Sequence, residues 1–191
     1  VSTPEGTQDI LKHVSIVIPD HKLMVFTGPN GGGKTTLAKV IMGLVQPTEG
    51  RVIYNGQDVT DLSITERARL GISYRFQQPP RFKGGEVKRI EIATILARSG
   101  GLKIFDEPEA GIDLWSFARL TETFEQIHRE QKDTMIIISH QERIIRMADE
   151  IVVVAGGEIA RRGTTEEVLP MILADTLGGC PVLGRKEKAQ K

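Results

Sequence analysis

The sequence predicts an α/β fold in which a mainly parallel central sheet is flanked by helices and joined by a small antiparallel β region. Three observations carry this. Residues 23–26 (LMVF) read as a buried strand, residues 28–36 (GPNGGGKTT) as a glycine-rich loop, and Leu37, Val40, Ile41 and Leu44 recur at helical spacing. Residues 134–139 (TMIIIS) are an almost unbroken apolar run, the pattern of a central strand covered on both faces. Asn55-Gly56 and Gly156-Gly157 are hairpin signals that supply the antiparallel part.

The elements follow in order. Residues 11–18 (LKHVSIVI) alternate imperfectly and stop at Pro19, which predicts a strand before the Asp20-His21 turn. Gly43 and Pro47 end the first helix, and residues 51–54 (RVIY) open the first hairpin. Ser63-Ile64-Thr65-Glu66 is a capping box for a short helix that Gly71 ends. Residues 72–76 (ISYRF) are the next strand and deliver Gln77 at its exit, and residues 86–98 place Val87, Ile90, Ala93 or Thr94, and Ala97 on one helical stripe. Residues 102–105 form a strand that ends in Asp106-Glu107-Pro108. Asp113 then caps a long helix carrying Leu114, Phe117, Leu120 and Phe124, with Trp115 expected to pack. His140 stands at the end of the 134–139 strand, Thr164 to Glu167 is a second capping box, and the charged residues 184–188 are expected to fray.

Bulk properties exclude several functions. A chain of 191 residues suits one domain, and 25 basic against 25 acidic residues give no electrostatic reason to expect nucleic acid as a partner. The lone Cys180 excludes an internal disulfide and a cysteine zinc cage, reads as an incidental thiol and fits a reducing, cytoplasmic setting. No apolar run approaches the ~18 residues of a membrane span, and no leader opens the chain. It begins on Val1 rather than Met, consistent with a start inside a longer protein.

The loop carries the chemistry. Gly28, Pro29, Asn30, Gly31, Gly32, Gly33, Lys34, Thr35 and Thr36 satisfy the phosphate-loop pattern, in which backbone amides and a helix start hold a polyphosphate. Lys34 is placed for the outer phosphates and the Thr35 hydroxyl for an accompanying magnesium, while Thr36 supports the helix start. Phosphoryl transfer needs positioning and charge more than covalent help. Asp106 is therefore read as the second magnesium partner and Glu107 as the general base for the attacking water. Gln77 and His140 would both face the terminal phosphate if their strands flank the loop strand.

This set resembles the nucleotide-binding domain of the ATP-binding cassette (ABC) family across nearly the whole chain. The resemblance implies a P-loop NTPase fold of ABC type, with ATP and Mg2+ as ligands. It makes residues 28–35 the Walker A loop, Gln77 the Q-loop glutamine that also reaches the metal, and Gly84-Gly85-Glu86 the signature motif. Asp106 and Glu107 become the Walker B aspartate and catalytic glutamate, Asp113 the D-loop aspartate and His140 the switch histidine. It further implies an ATP-dependent homodimer paired head to tail, each ATP lying between one copy's phosphate loop and the other's signature motif. Residues 66–69 (ERAR), Phe76-Gln77-Gln78-Pro79, residues 84–89 (GGEVKR) and Gly111-Ile112-Asp113 look most like SufC, the iron-sulfur cluster assembly ATPase that works with SufB- or SufD-like scaffolds. The alternative is the ATP-binding subunit of an ABC transporter with a membrane partner.

The pattern is broken in one place. Six residues separate Gln77 from Gly84, where the family inserts a helical subdomain that docks partners, and Lys83 stands where the signature motif has Ser. Residues 1–191 thus read as a single ABC ATPase domain whose helical subdomain is missing near 81–85. The reading favoured is that the molecule holds residues between Arg81 and Gly85 that this sequence omits. A true deletion is the alternative, and a Cα step well above ~3.8 Å would separate the two. The family's adenine-stacking aromatic is not evident in residues 1–12. Two remaining rivals are a DNA-repair ATPase, which lacks a basic footprint here, and a silent binding module, against which Lys34 and Glu107 both speak.

Overall fold

A computed structural model of the chain describes residues 9–75, 101–130 and 133–177. Six strands form one sheet in the order β4-β5-β6-β1-β7-β8: β4 is Ile72–Arg75, β5 Leu102–Asp106, β6 Thr134–Ile138, β1 Leu23–Thr27, β7 Glu150–Ala155 and β8 Glu158–Thr164. Every neighbouring pair is parallel except β7 and β8, which run antiparallel with a bulge between Val153 and Val154. A separate two-stranded ribbon joins β2 (Ile53–Tyr54) to β3 (Gln57–Asp58) through Asn55 and Gly56, both at positive φ as a tight hairpin turn requires.

Two apolar layers cover the sheet. On one face Met24, Phe26, Ile104, Ile136 and Ile138 pack under α1 (Lys34–Met42). On the other Val25, Phe105, Met135 and Ile137 meet Leu120 and Phe124 of α3 (Leu114–Glu130) and Val168 and Leu169 of α5 (Thr165–Leu177). Strand alternation sorts these side chains, and both faces are filled, so β1, β5 and β6 are buried throughout. Two short helices, α2 (Ile64–Arg69) and α4 (Glu142–Ile145), complete the described elements.

The local signals act as read. Ser63 and Glu66 exchange both bonds of the first capping box, and Thr164 and Glu167 do the same before α5. Asp113 accepts from the Ser116 amide at 2.9 Å at the start of α3. Gly43 closes α1 in the left-handed conformation, so Leu44 lies past the helix and only flanks the core.

Two expectations are corrected. Residues 11–18 take no part in either described sheet. β1 is already paired on both sides by β6 and β7, which leaves the preceding segment no strand edge there, although Val14, Ile16 and Ile18 still pack inward and Val17 points to solvent. Trp115 does not pack: it is 83 % exposed and Leu114 beside it 77 %, because the stripe of α3 that reaches the core begins at Phe117. The 86–98 helix, the strand residue Phe76, Cys180, the charged tail at 184–188 and the expected break between Arg81 and Gly85 lie outside the described residues.

Candidate functional site

Register brings the site together. Phe26 of β1 pairs with Ile138 of β6, which pairs in turn with Asp106 of β5, so the carboxyl ends of three adjacent strands stand level. Whatever follows each strand emerges on the same rim, the place where open α/β sheets bind ligands. From β1 comes the phosphate loop, from β5 Glu107, and from β6 Ser139 and His140.

The loop is held tightly from behind. A Cβ at Gly28 would lie 2.3 Å from the Val154 carbonyl oxygen, and one at Gly32 2.5 Å from the same atom, so neither position admits a side chain. The Gly157 amide donates to Gly32 O at 3.1 Å, and Lys12 N donates to Gly157 O at 2.7 Å, tying the loop to the β7–β8 turn and the N-terminal segment. Lys34 curls back across the loop and donates from Nζ to Gly28 O at 2.8 Å and Pro29 O at 2.9 Å. Burial pushes its ammonium below the ordinary lysine range, and Glu107 and Asp106 oppose that shift.

Asp106 shares a sheet face with Ile104 and so points toward α1. Its Oδ1 accepts from Thr35 Oγ1 at 3.2 Å and its Oδ2 from the Tyr74 hydroxyl at 2.9 Å. Tyr74 pairs with Ile104 in the neighbouring strand, two residues short of Asp106, a gap its long side chain spans. Its burial pushes the phenol up, with the Asp106 charge adding to the effect.

Glu107 sits at φ 44, an uncommon conformation for a residue with a side chain, and its amide donates to Ile138 O at 2.9 Å. His140 Nε2 lies 3.9 Å from Glu107 Oε1. Burial and the Lys34 charge hold the imidazole below its usual value, with Glu107 working the other way.

Lys34, Thr35, Asp106, Glu107 and His140 are thus gathered on one rim beside Gly28, Pro29, Asn30, Gly31, Gly32, Gly33 and Thr36. Asp113 spends its carboxylate on the start of α3, bonded to Ser116. Gln77, Gly84, Gly85 and Glu86 lie outside the described residues. Sequence reasoning missed Tyr74, which holds Asp106. Alternation along β4 and β5 held the only signal for Tyr74, and it becomes readable once the two strands are known to be neighbours.

Comparison with known proteins decides the family. A family model described as ABC transporter matches residues 11–84. An uncharacterized ABC transporter ATP-binding protein, MJ0035 of Methanocaldococcus jannaschii, is 31% identical over 216 aligned positions that take in 85% of this chain and 86% of that protein. The chain belongs to the ABC transporter ATP-binding family. The sulfate/thiosulfate import ATP-binding protein CysA of Synechocystis is 29% identical over 213 positions, 88% of this chain but only 60% of that relative's length. The fold matches the dimeric, post-hydrolysis ATP-binding cassette MJ0796 bound to ADP and Pi, with a TM-score of 0.73 at 20% identity over 82% of this chain and 90% of that one.

The chain is accordingly an ABC-type ATPase domain, and ATP with Mg2+ are the family's ligands. The residues fit them. A hydroxyl and a carboxylate 3.2 Å apart are the hard oxygen donors magnesium takes, and Lys34 supplies the charge a triphosphate needs beside them. Among the described residues no helix is long and apolar enough to cross a membrane. The named relatives are transporter ATP-binding proteins, so the comparisons favour the transporter reading over the SufC-like one.

Proposed function

We propose that this chain is the ATP-hydrolysing subunit of an ABC membrane transporter, working as an ATP-dependent homodimer against a membrane subunit. The meeting of Thr35 with Asp106, beside Lys34 and one residue from Glu107, carries this reading. Lys34 and the loop amides would bind the phosphates, and Thr35 and Asp106 would hold the metal, to which the family resemblance also assigns Gln77. Bound magnesium neutralises charge that develops on the phosphates during transfer. Glu107 takes the proton of the attacking water, and His140, within 3.9 Å, orients that pair toward the terminal phosphate. Gly84, Gly85 and Glu86 serve the partner copy's nucleotide, and Asp113 belongs to the contact between copies.

Glu107→Gln removes the base while keeping size and hydrogen bonding. We expect it to bind ATP, lose turnover by roughly 10² to 10⁴, and accumulate as a dimer in light scattering with ATP and Mg2+. A monomer that binds no ATP would reject the reading.

The match to MJ0035 runs over 216 positions in a chain of 191 residues, so that relative carries residues this sequence lacks. That extra length fits an omission and a true deletion equally; we propose an omission, between Arg81 and Gly85, of a segment that docks the partner. Peptide mapping tests it: recovery of a contiguous peptide spanning residues 82–88 would establish a deletion instead.

The SufC-like reading rests on Gly111-Ile112-Asp113 and its companion stretches, and it would replace the membrane subunit by a SufB- or SufD-like scaffold. Affinity purification from the native host separates the two by whether a membrane protein or a soluble scaffold is retained.

A further inference from the structure

We propose that Glu109, acting through Ser139, is a positioning residue that sets Glu107 against His140. This rests on the ATPase reading above. Glu109 lies two residues after Glu107, and Ser139 one residue before His140. The Ser139 hydroxyl donates to Glu109 Oε1 and at the same time accepts from the Gln141 amide at 3.0 Å. Ser139 is fully buried, and its own amide donates to Phe26 O of β1 at 3.2 Å. One side-chain contact therefore fastens the acid loop to the histidine loop, and both to the strand that carries the phosphate loop.

Glu107 and His140 meet at 3.9 Å, an ion-pair contact longer than a hydrogen bond, and the left-handed backbone of Glu107 persists only where its surroundings dictate it. Glu107 O accepts from the Ala110 amide at 3.0 Å and Glu109 O from the Ile112 amide at 3.2 Å, which makes the acid loop a pair of successive tight turns. Packing alone would not call for a carboxyl here. Glu109 Oε2 is buried without a hydrogen-bond partner, a costly arrangement that an apolar side chain would avoid. Burial, with Glu107 adding to it, pushes the Glu109 carboxyl above the ordinary range, while the Ser139 hydroxyl and the backbone N–H groups of Glu109 and His140 oppose the shift. On His140 the charged groups acting are Lys34 from α1 and Glu107 from the acid loop, so any change in spacing registers in the imidazole.

The test compares Glu109→Gln, Ser139→Ala and the double variant in the full chain. The His140 imidazole is titrated by NMR, assigned among the four histidines with His140→Gln, alongside steady-state ATP turnover. We expect the midpoint to move by about half a pH unit or more in both singles, kcat to fall roughly 10- to 100-fold at unchanged KM, and the double to be no worse than the poorer single. A midpoint that stays at the parent value, a kcat within about twofold of parent, or a double variant whose losses multiply would each overturn the proposal. If Glu109→Gln fails to fold, Ser139→Ala alone decides. Should the parent itself not hydrolyse ATP, the ATPase reading fails, and the midpoint still decides the brace.

Discussion

At the scale of single residues, the site depends on a few side chains whose partners leave little freedom. Asp106 is held from both oxygens, by Thr35 and by Tyr74, so the Tyr74 hydroxyl helps fix the orientation of the carboxylate to which the proposed function gives the metal. Tyr74→Phe keeps the ring. We expect it to raise the Mg2+ concentration for half-maximal binding of a fluorescent ATP analogue roughly tenfold, and an unchanged midpoint would show the hydroxyl to be idle. Gly32→Ala places a Cβ against the Val154 carbonyl and should abolish nucleotide binding in the same assay. His140 gives a pH signature. Because its folded-state value is lowered, the unfolded chain binds more protons there between that lowered value and about 6.5, so this contribution to stability grows as pH rises through that window and fades as pH falls. His140→Gln should therefore lose less in Tm than the parent between pH 7.5 and 5.5, as read by calorimetry; an equal loss would contradict the shift. The loop and the acidic pair were legible in the sequence because each is contiguous. Tyr74 and Ser139 were not, since their roles arise from strands distant in the chain that become neighbours in the sheet.

At the scale of elements, α1 is anchored at both ends. Its start carries the phosphate loop, and its last turn is clamped by the fully buried Arg67 of α2. Arg67 donates to Val40 O and Ile41 O at 2.7 Å each, to Thr60 O at 2.6 Å and to Leu62 O at 3.2 Å. A cation at a helix C-terminus meets the negative end of the dipole and satisfies carbonyls that the helix leaves open. Arg67→Met would strand those carbonyls in the interior. We expect a loss of about 2–4 kcal/mol in denaturant-induced unfolding, and a loss below about 0.5 kcal/mol would mean that water replaces the guanidinium. Caps and hairpins were readable because each is decided within a few residues. The 11–18 segment was misread because alternation reports which side chains face inward, not whether a strand edge is free to pair.

For the whole molecule, the level carboxyl ends of β5, β6 and β1 are what turn separate motifs into one site, and that alignment follows from a parallel sheet buried on both faces. The fold class was legible because continuous apolar runs and the strand, loop, helix unit both demand such a sheet. Partner choice was not. The relatives lean toward transporters, where short motif variants in this sequence leaned toward SufC. The central claim is that Lys34, Thr35, Asp106 and Glu107 converge on one magnesium triphosphate. Calorimetric titration of ATP with and without Mg2+, on the parent, Lys34→Ala and Asp106→Asn, tests it most directly. The account predicts Mg2+-enhanced binding by the parent, weakened roughly 10- to 100-fold in both variants; equal affinity in all three would contradict it.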